Sequence, residues 1–119
     1  MSTAHSSILT LLNEQEQHLD VLLLLLHKEL DAIRTRDVEA LKNTTEEKIQ
    51  VLDLIQATDA QMTALPELAN IKQQDWFKEQ MQRLEEKLAQ CKFQNQVNSQ
   101  SVEQSQLVIE RFKTELLQS

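Results

Sequence analysis

Apolar residues recur at spacings of three and four along most of the chain, which is the pattern of amphipathic α-helices. The first such segment predicts helix 1 over 5–35, with an apolar face made of Ile8, Leu12, Leu19, Leu23, Leu26, Leu30 and Ile33. The second predicts helix 2 over 38–65, with an inward face made of Val38, Leu41, Thr45, Ile49, Leu52, Ile55 and Met62.

Two short segments separate the predicted helices. Arg34 and Arg36 place positive charge at the negative end of helix 1, and Asp37 can accept hydrogen bonds from the first N–H groups of helix 2. Pro66 disfavours a helical conformation at Leu65 and suits the first turn of a third helix. The short first connection predicts that helix 2 folds back along helix 1 as an antiparallel hairpin.

The third segment predicts helix 3 over 66–117, with a break near 95–100 left open because residues 90–106 are strongly polar. From Phe77 onwards its seam alternates spacings of four and three, as in a coiled-coil heptad. At 1.5 Å per residue this helix is roughly 75 Å long, against roughly 40 to 47 Å for the other two. Its last twenty or so residues should therefore project beyond the hairpin and expose an apolar stripe, which usually marks an interaction site.

These elements predict an all-α fold in a single domain over 1–119. The expected architecture is a long antiparallel hairpin plus a long third helix, in a coiled-coil-like three-helix bundle with a projecting C-terminal segment. The chain has no glycine and one proline, so few residues are available for tight turns. This composition agrees with long helices joined by few bends.

The run Val21–Leu26 is six consecutive apolar residues, which is far short of the roughly 20 needed to cross a bilayer. We therefore expect no stable membrane insertion. A helix that is apolar on all sides needs neighbours on more than one side. Leu22 and Leu25 should decide whether the chain closes a bundle by itself or needs a partner, such as a second copy.

The formal charge of −7 and the low aromatic content of 3% argue against nucleic acid as a partner. The single cysteine, Cys91, and a seven-residue N-terminus without Lys or Arg predict a cytoplasmic protein without a secretory signal. Cys91 falls in the apolar seam, so we expect a core residue and not a nucleophile.

The sequence offers little for catalysis or for binding a cofactor. Without glycine it has no phosphate-binding loop of the known types. Glu14 with His18, and His27 with Asp31, are acid–histidine pairs one turn apart, but the Glu-x-x-His motif of di-metal bundles does not occur in the sequence. We expect these pairs to be solvated, and we predict no enzyme activity, no catalytic or metal-binding residue and no cofactor.

Several segments together resemble the FlgN-type flagellar export chaperones. They are the leucine-rich first helix, Arg36 to Leu41 (RDVEAL), Thr45 to Lys48 (TEEK) with the apolar residues after it, and Asn95 to Asn98 (NQVN) opening an amphipathic C-terminal helix. The resemblance covers nearly the whole chain. Members of that family often have glycine where this chain has Ser99, and commonly run on into a flexible tail.

The resemblance implies a cytoplasmic chaperone that keeps hook–filament junction proteins soluble and delivers this cargo to a component of the flagellar type III export apparatus. It places the cargo surface on the C-terminal helix, at Asn95, Asn98, Val102, Val108, Ile109, Phe112 and Leu116. From the residues alone, Asn95 and Asn98 are either register-fixing polar residues in the seam or solvated ones. The alternative function is a self-assembling coiled-coil protein without a client, for which a homodimer would bury the same stripe.

Overall fold

The computed structural model describes residues 3–118, and within them the side chains of residues 7–103, Arg111 and Thr114. It contains α1 (Thr3–Thr35), α2 (Val38–Thr63), α3 (Leu68–Ile71) and α4 (Asp75–Gln118). No strand occurs among the described residues. The predicted all-α fold is confirmed.

The turn between α1 and α2 closes without glycine. Arg36 adopts a left-handed conformation with φ of 56°. Its N–H donates to the Ile33 carbonyl, and the N–H of Asp37 donates to the Ala32 carbonyl at 3.0 Å, which together form a Schellman motif. The Asp37 carboxylate then accepts from the Ala40 N–H at 3.0 Å and caps α2 as predicted.

The structure differs from the prediction of one helix beginning at Pro66. A single short helix, α3, follows Pro66, and the chain bends over residues 72–74 before α4 begins at Asp75. Ile71 and Phe77 are both buried, yet six residues would separate them by about 240° around a straight helix. A bend is needed to turn both side chains toward the same core. Near 95–100, by contrast, α4 is continuous.

Helix α1 lies between α2 and α4, and the extensive helix–helix contacts in the described part of the chain are those of α1 with each of them. α2 runs antiparallel to α1, and α4 runs parallel to α1. Two ion-pair contacts on the surface show the parallel register, with Arg83 2.6 Å from Glu16 and Lys87 2.6 Å from Asp20. The molecule is elongated, with a longest dimension of 74 Å.

The end of α4 extends past the hairpin, as the helix lengths predict. Asn98 contacts Glu29 with an offset of 69 residues, so the last residue of α1, Thr35, lies level with residues around 104. About 14 residues of α4, or roughly 21 Å of helix, continue beyond that level. This overhang is somewhat shorter than the twenty or so residues expected from sequence.

The predicted inward face of α2 is only partly correct: Met62 is buried and Ile55 packs against the core as predicted, but other members of the face do not. Val38 is 78% exposed and Ile49 is 56% exposed, so neither belongs to the core. The residues of α2 that are buried are Thr44, Val51, Thr58 and Met62. The first three of these are spaced by seven. Thr44 and Val51 each lie one position, or about 100°, from Thr45 and Leu52 of the predicted face. Apolar residues occupy two faces of α2, and the face with fewer of them packs against α1.

Three of the six residues in the run Val21–Leu26 are buried by the chain itself. Leu22, Leu25 and Leu26 are buried, whereas Leu24 is 54% exposed. Leu22 and Leu25 therefore belong to the core of one chain, and α1 is sandwiched as predicted. No helix in the described residues has an apolar stretch long enough to span a membrane.

Candidate partner-binding site

Four polar side chains from three helices meet near the hairpin turn, and we call this group the Glu29 cluster: Glu29, Lys48, Gln94 and Asn98. The Asn98 amide donates to the Leu26 carbonyl at 2.8 Å and to Glu29 Oε1 at 2.9 Å. Lys48 Nζ lies 2.8 Å from Glu29 Oε2, and Gln94 donates to Asn98 Oδ1 at 3.0 Å. The cluster joins α1, α2 and α4 in one network.

Burial makes this network a strong constraint on register. Asn98 is 2% exposed, and a buried amide or carboxylate that loses its partners retains the full cost of its desolvation. Every buried side-chain nitrogen and oxygen in the described residues has a hydrogen-bond partner. Sliding α4 along α1 by one turn would break these bonds, so the cluster fixes where the overhang begins.

The seven residues predicted to bind cargo fall into three groups. Asn98 lies inside the Glu29 cluster. Asn95 and Val102 lie on exposed positions of α4, and Val102 is among the exposed large apolar residues. The other four belong to the overhang of α4, and their side chains lie outside the described residues: Val108, Ile109, Phe112 and Leu116.

A second apolar surface was not predicted from sequence. Two adjoining cavities of about 440 and 730 Å³ lie between α2 and α4. We call them the α2–α4 groove, and its apolar lining includes Leu52, Ile55, Met62, Met81, Leu84 and Leu88. The groove exists because α1 holds α2 and α4 on either side of itself without bringing them together.

The heptad seam of α4 explains how this groove is built. Every seventh residue from Phe77 is buried, namely Phe77, Leu84, Cys91 and Asn98. The alternate positions are more exposed: Met81 is half-buried, Leu88 is 40% exposed, and Asn95 and Val102 follow. Only one of the two columns of the seam packs fully into the core. Met81 and Leu88 of the other column line the groove.

The titratable groups at the α1–α4 contact are structural. Cys91 is buried as predicted, and its thiol donates to the Leu19 carbonyl at 3.6 Å. Burial raises the pKa of Cys91, with a smaller contribution from the Asp20 charge. The hydrogen bond to Asp20 raises the pKa of Lys87, and Glu16 adds to this. Neither group resembles an activated nucleophile or base.

The two acid–histidine pairs differ in their surroundings. His27 and Asp31 are exposed, as expected. His18 is half-buried instead, and its Nδ1 lies 3.2 Å from Gln15 Oε1 and 3.5 Å from Thr58 Oγ1 on α2, so for His18 the expectation of a solvated side chain is wrong. No group of three or more His, Cys, Asp and Glu side chains suited to a metal ion occurs in the described residues.

Comparison with known proteins decides the family. The model of the family described as "FlgN protein" matches residues 1–118. The chain belongs to the FlgN family. No curated protein and no solved structure matches it. The resemblance seen in the sequence is therefore confirmed over almost the full length.

Membership of the FlgN family implies a flagellar export chaperone, and FlgN proteins are a chaperone family rather than a family of enzymes. Among the described residues of this FlgN-family chain, the α2–α4 groove is an apolar surface that lies along helices, which agrees with such a role. The family also suggests that the partners are flagellar export substrates.

Proposed function

We propose that this FlgN-family protein is a cytoplasmic chaperone that binds hook–filament junction proteins through the C-terminal part of α4 and delivers them to the flagellar type III export apparatus. The observation that carries the proposal is the overhang of α4. About 14 helical residues continue past the end of α1, in a family whose members are export chaperones.

The sequence of the overhang suits an amphipathic partner. Ile109, Phe112 and Leu116 recur at spacings of three and four, which places them on one face of the helix. A cargo segment that is disordered when free could lay its own apolar face along this stripe, as in helix-in-groove or coiled-coil recognition. Both surfaces would then be protected from self-association.

Asn98 takes a different part in this proposal from the other six residues. Because its amide is bonded to Leu26 and Glu29, it would anchor the binding segment to the hairpin and not contact cargo itself. Asn95 and Val102 lie on the exposed side of the same turns. They would extend the cargo surface from the overhang toward the hairpin.

The test is a pair of aspartate substitutions in the overhang. Ile109→Asp with Phe112→Asp should abolish binding of a purified hook–filament junction protein, measured by calorimetry, because two charges would have to be buried against the cargo. Helical content by circular dichroism should be almost unchanged.

The matched control adds the same two negative charges at exposed positions elsewhere, as Gln61→Asp with Gln73→Asp. This variant should bind cargo as the unmodified protein does. Unchanged affinity of the Ile109/Phe112 variant would contradict the proposed cargo surface.

A further inference from the structure

We propose that the α2–α4 groove is a second docking site, separate from the overhang, and that its occupant is an amphipathic helix of a protein partner whose apolar face is flanked by lysine or arginine. This inference goes beyond the proposed cargo surface and does not rest on it.

The seven-residue periodicity of α2 and α4 supports a helical occupant. Thr44, Val51 and Thr58 of α2 are spaced by seven and are buried, and α4 buries its own seven-residue column in the same way. Each helix carries a second apolar set beside the buried one. On α2 this set includes Leu52 and Ile55, and on α4 it includes Met81 and Leu88.

These second sets face one gap. Helices with two apolar columns normally pack against two neighbours, but within the described residues α2 and α4 each pack extensively against α1 alone. A further helix laid in the gap would contact both columns and complete a four-helix arrangement. The geometry therefore favours a helical occupant over an extended one.

The length and the lining of the groove suit an occupant of about three helical turns. Its lining spans Leu52 to Thr63 on α2 and Phe77 to Leu88 on α4, which is roughly 17 Å or three helical turns. Met62 and Met81 line both parts, and methionine adapts its shape to different apolar partners. The groove can thus hold the apolar face of about three turns.

The acidic side chains of the groove favour a basic occupant. Asp59 lies on the α2 side of the groove and Glu85 on the α4 side, and both line each of the two cavities. Neither carboxylate is in the ion pairs found among the described residues, which join α1 to α2 and to α4 elsewhere. Two negative charges outside those ion pairs, beside an apolar floor, favour an occupant with positive charge at the edges of its apolar face.

Two lysines lie near one end of the groove, and neither is in an ion pair with Asp59 or Glu85 among the described residues. Lys72 and Lys78 line the cavity nearest α3, but Glu85 is seven residues beyond Lys78, or about 10 Å along the helix axis. That distance is comparable to the Debye screening length at about 0.1 M salt, so the solvent ions weaken the attraction between Lys78 and Glu85.

The basic residues of α2 lie away from the groove. They are Lys42 and Lys48, and neither belongs to the lining of the two cavities. Lys48 is instead paired with Glu29 in the Glu29 cluster. Residues 37–65 as a whole carry an excess of acidic over basic residues, so the α2 side of the groove keeps a negative charge.

The experiment uses two synthetic helical peptides of about 14 residues and the full-length protein. Both peptides have the same leucine face, flanked in one by lysine and in the other by glutamate. Fluorescence anisotropy of labelled peptide at about 0.1 M salt should show that the lysine peptide binds about tenfold more tightly.

A charge-reversal variant tests whether the groove is responsible. Asp59→Lys with Glu85→Lys should reverse the preference, so that the glutamate peptide binds more tightly. The matched control is Asp53→Lys with Glu86→Lys, which changes the net charge equally at exposed positions that do not line the groove. The control should keep the preference for lysine. Reversal of preference cannot result from loss of folding.

Three results would overturn the inference. One is an equal shift of preference in the Asp59/Glu85 and Asp53/Glu86 variants, which would indicate attraction to net charge alone. Another is loss of peptide binding in the Ile109→Asp, Phe112→Asp variant, which would place the peptide on the overhang. The last is a dimer in sedimentation that Leu88→Asp converts to monomer, which would make a second copy the occupant.

Discussion

Arg36 occupies a position in the α1–α2 turn where glycine is the usual residue. The left-handed conformation costs a residue with a Cβ roughly 1 kcal/mol, and the hydrogen bonds of the Schellman motif and the Asp37 cap offset this cost. The protein thus makes its tightest turn without glycine by placing a capping residue next to the strained one.

Replacing Arg36 with glycine should therefore stabilise the protein. We expect Arg36→Gly to raise the free energy of unfolding by up to about 1 kcal/mol, measured by urea denaturation. Arg34→Gly is the control, because Arg34 lies within α1 and glycine there should lower stability by about 1 kcal/mol. A loss of stability in Arg36→Gly would show that the arginine side chain itself holds the turn.

The Cys91 thiol, buried in the α1–α4 contact, should make the stability of the protein depend on pH in the alkaline range. Its pKa is raised in the folded protein, so the folded state holds the thiol proton more tightly than the unfolded state does. The free energy of unfolding should then fall as the pH rises past about 8.5, the ordinary pKa of a thiol. Lys87, whose pKa is also raised, would add to the fall only above its own, higher ordinary pKa.

Denaturation curves between about pH 7.5 and about pH 10, a range that extends at least one pH unit to each side of the thiol pKa, measure this effect. Cys91→Ser is the comparison, because serine keeps a donor for the Leu19 carbonyl and does not titrate in that range. The stability of the serine variant should depend less steeply on pH. Parallel curves would mean that the thiol does not contribute.

At the scale of the helices, the Glu29 cluster determines how α4 docks. We expect Asn98→Ala to lower the free energy of unfolding by about 2 to 3 kcal/mol, because Glu29 and the Leu26 carbonyl would lose a buried donor. Chemical denaturation measures the change. Asn95→Ala, at an exposed position of the same helix, should change stability by less than about 0.5 kcal/mol.

A double-mutant cycle with Glu29→Gln would separate the coupling between Glu29 and Asn98 from the effect of each residue alone. Additive effects of the two substitutions would show that the residues do not stabilise the docking as a unit.

The helices themselves were largely predictable, because long stretches with a spacing of three and four have one strong interpretation. The Asp37 cap was predictable for the same reason, since its chemistry is local. The bend after Ile71 was missed, although the six-residue step from Ile71 to Phe77 is incompatible with one straight apolar face. That step is visible in the sequence.

The orientation of α2 could not be predicted from hydrophobicity. The face toward α1 contains Thr44 and Thr58, whereas Ile49 and Leu52 lie on an exposed face. Counting the apolar residues on each face of α2 therefore favours the wrong face as the buried one. The burial of Asn98 could not be predicted either. Whether an asparagine in a seam is solvated or buried depends here on Glu29, which is remote in sequence. The α2–α4 groove depends on which face of α2 packs against α1 and on how α4 docks at Asn98, so it was not predicted either.

At the scale of the whole molecule, the protein is an open assembly with one central helix. α1 is covered on two sides by its own chain, which accounts for the burial of Leu22, Leu25 and Leu26 without a second copy. Two regions of the assembly are left incomplete. One is the space between the outer helices α2 and α4, and the other is the end of α4. The two surfaces proposed to bind partners are these two incomplete regions.

The continuity of α4 links the two regions mechanically. From Asn98 the helix extends about 35 Å back to Asp75, beside the groove, and about 30 Å forward to Gln118, at the end of the overhang. Between the groove and the overhang, this helix is held against α1 by several buried side chains, those of Leu84, Cys91 and Asn98. A shift of α4 imposed at the groove would therefore reach the overhang only by breaking the hydrogen bonds from Asn98 to Leu26 and Glu29.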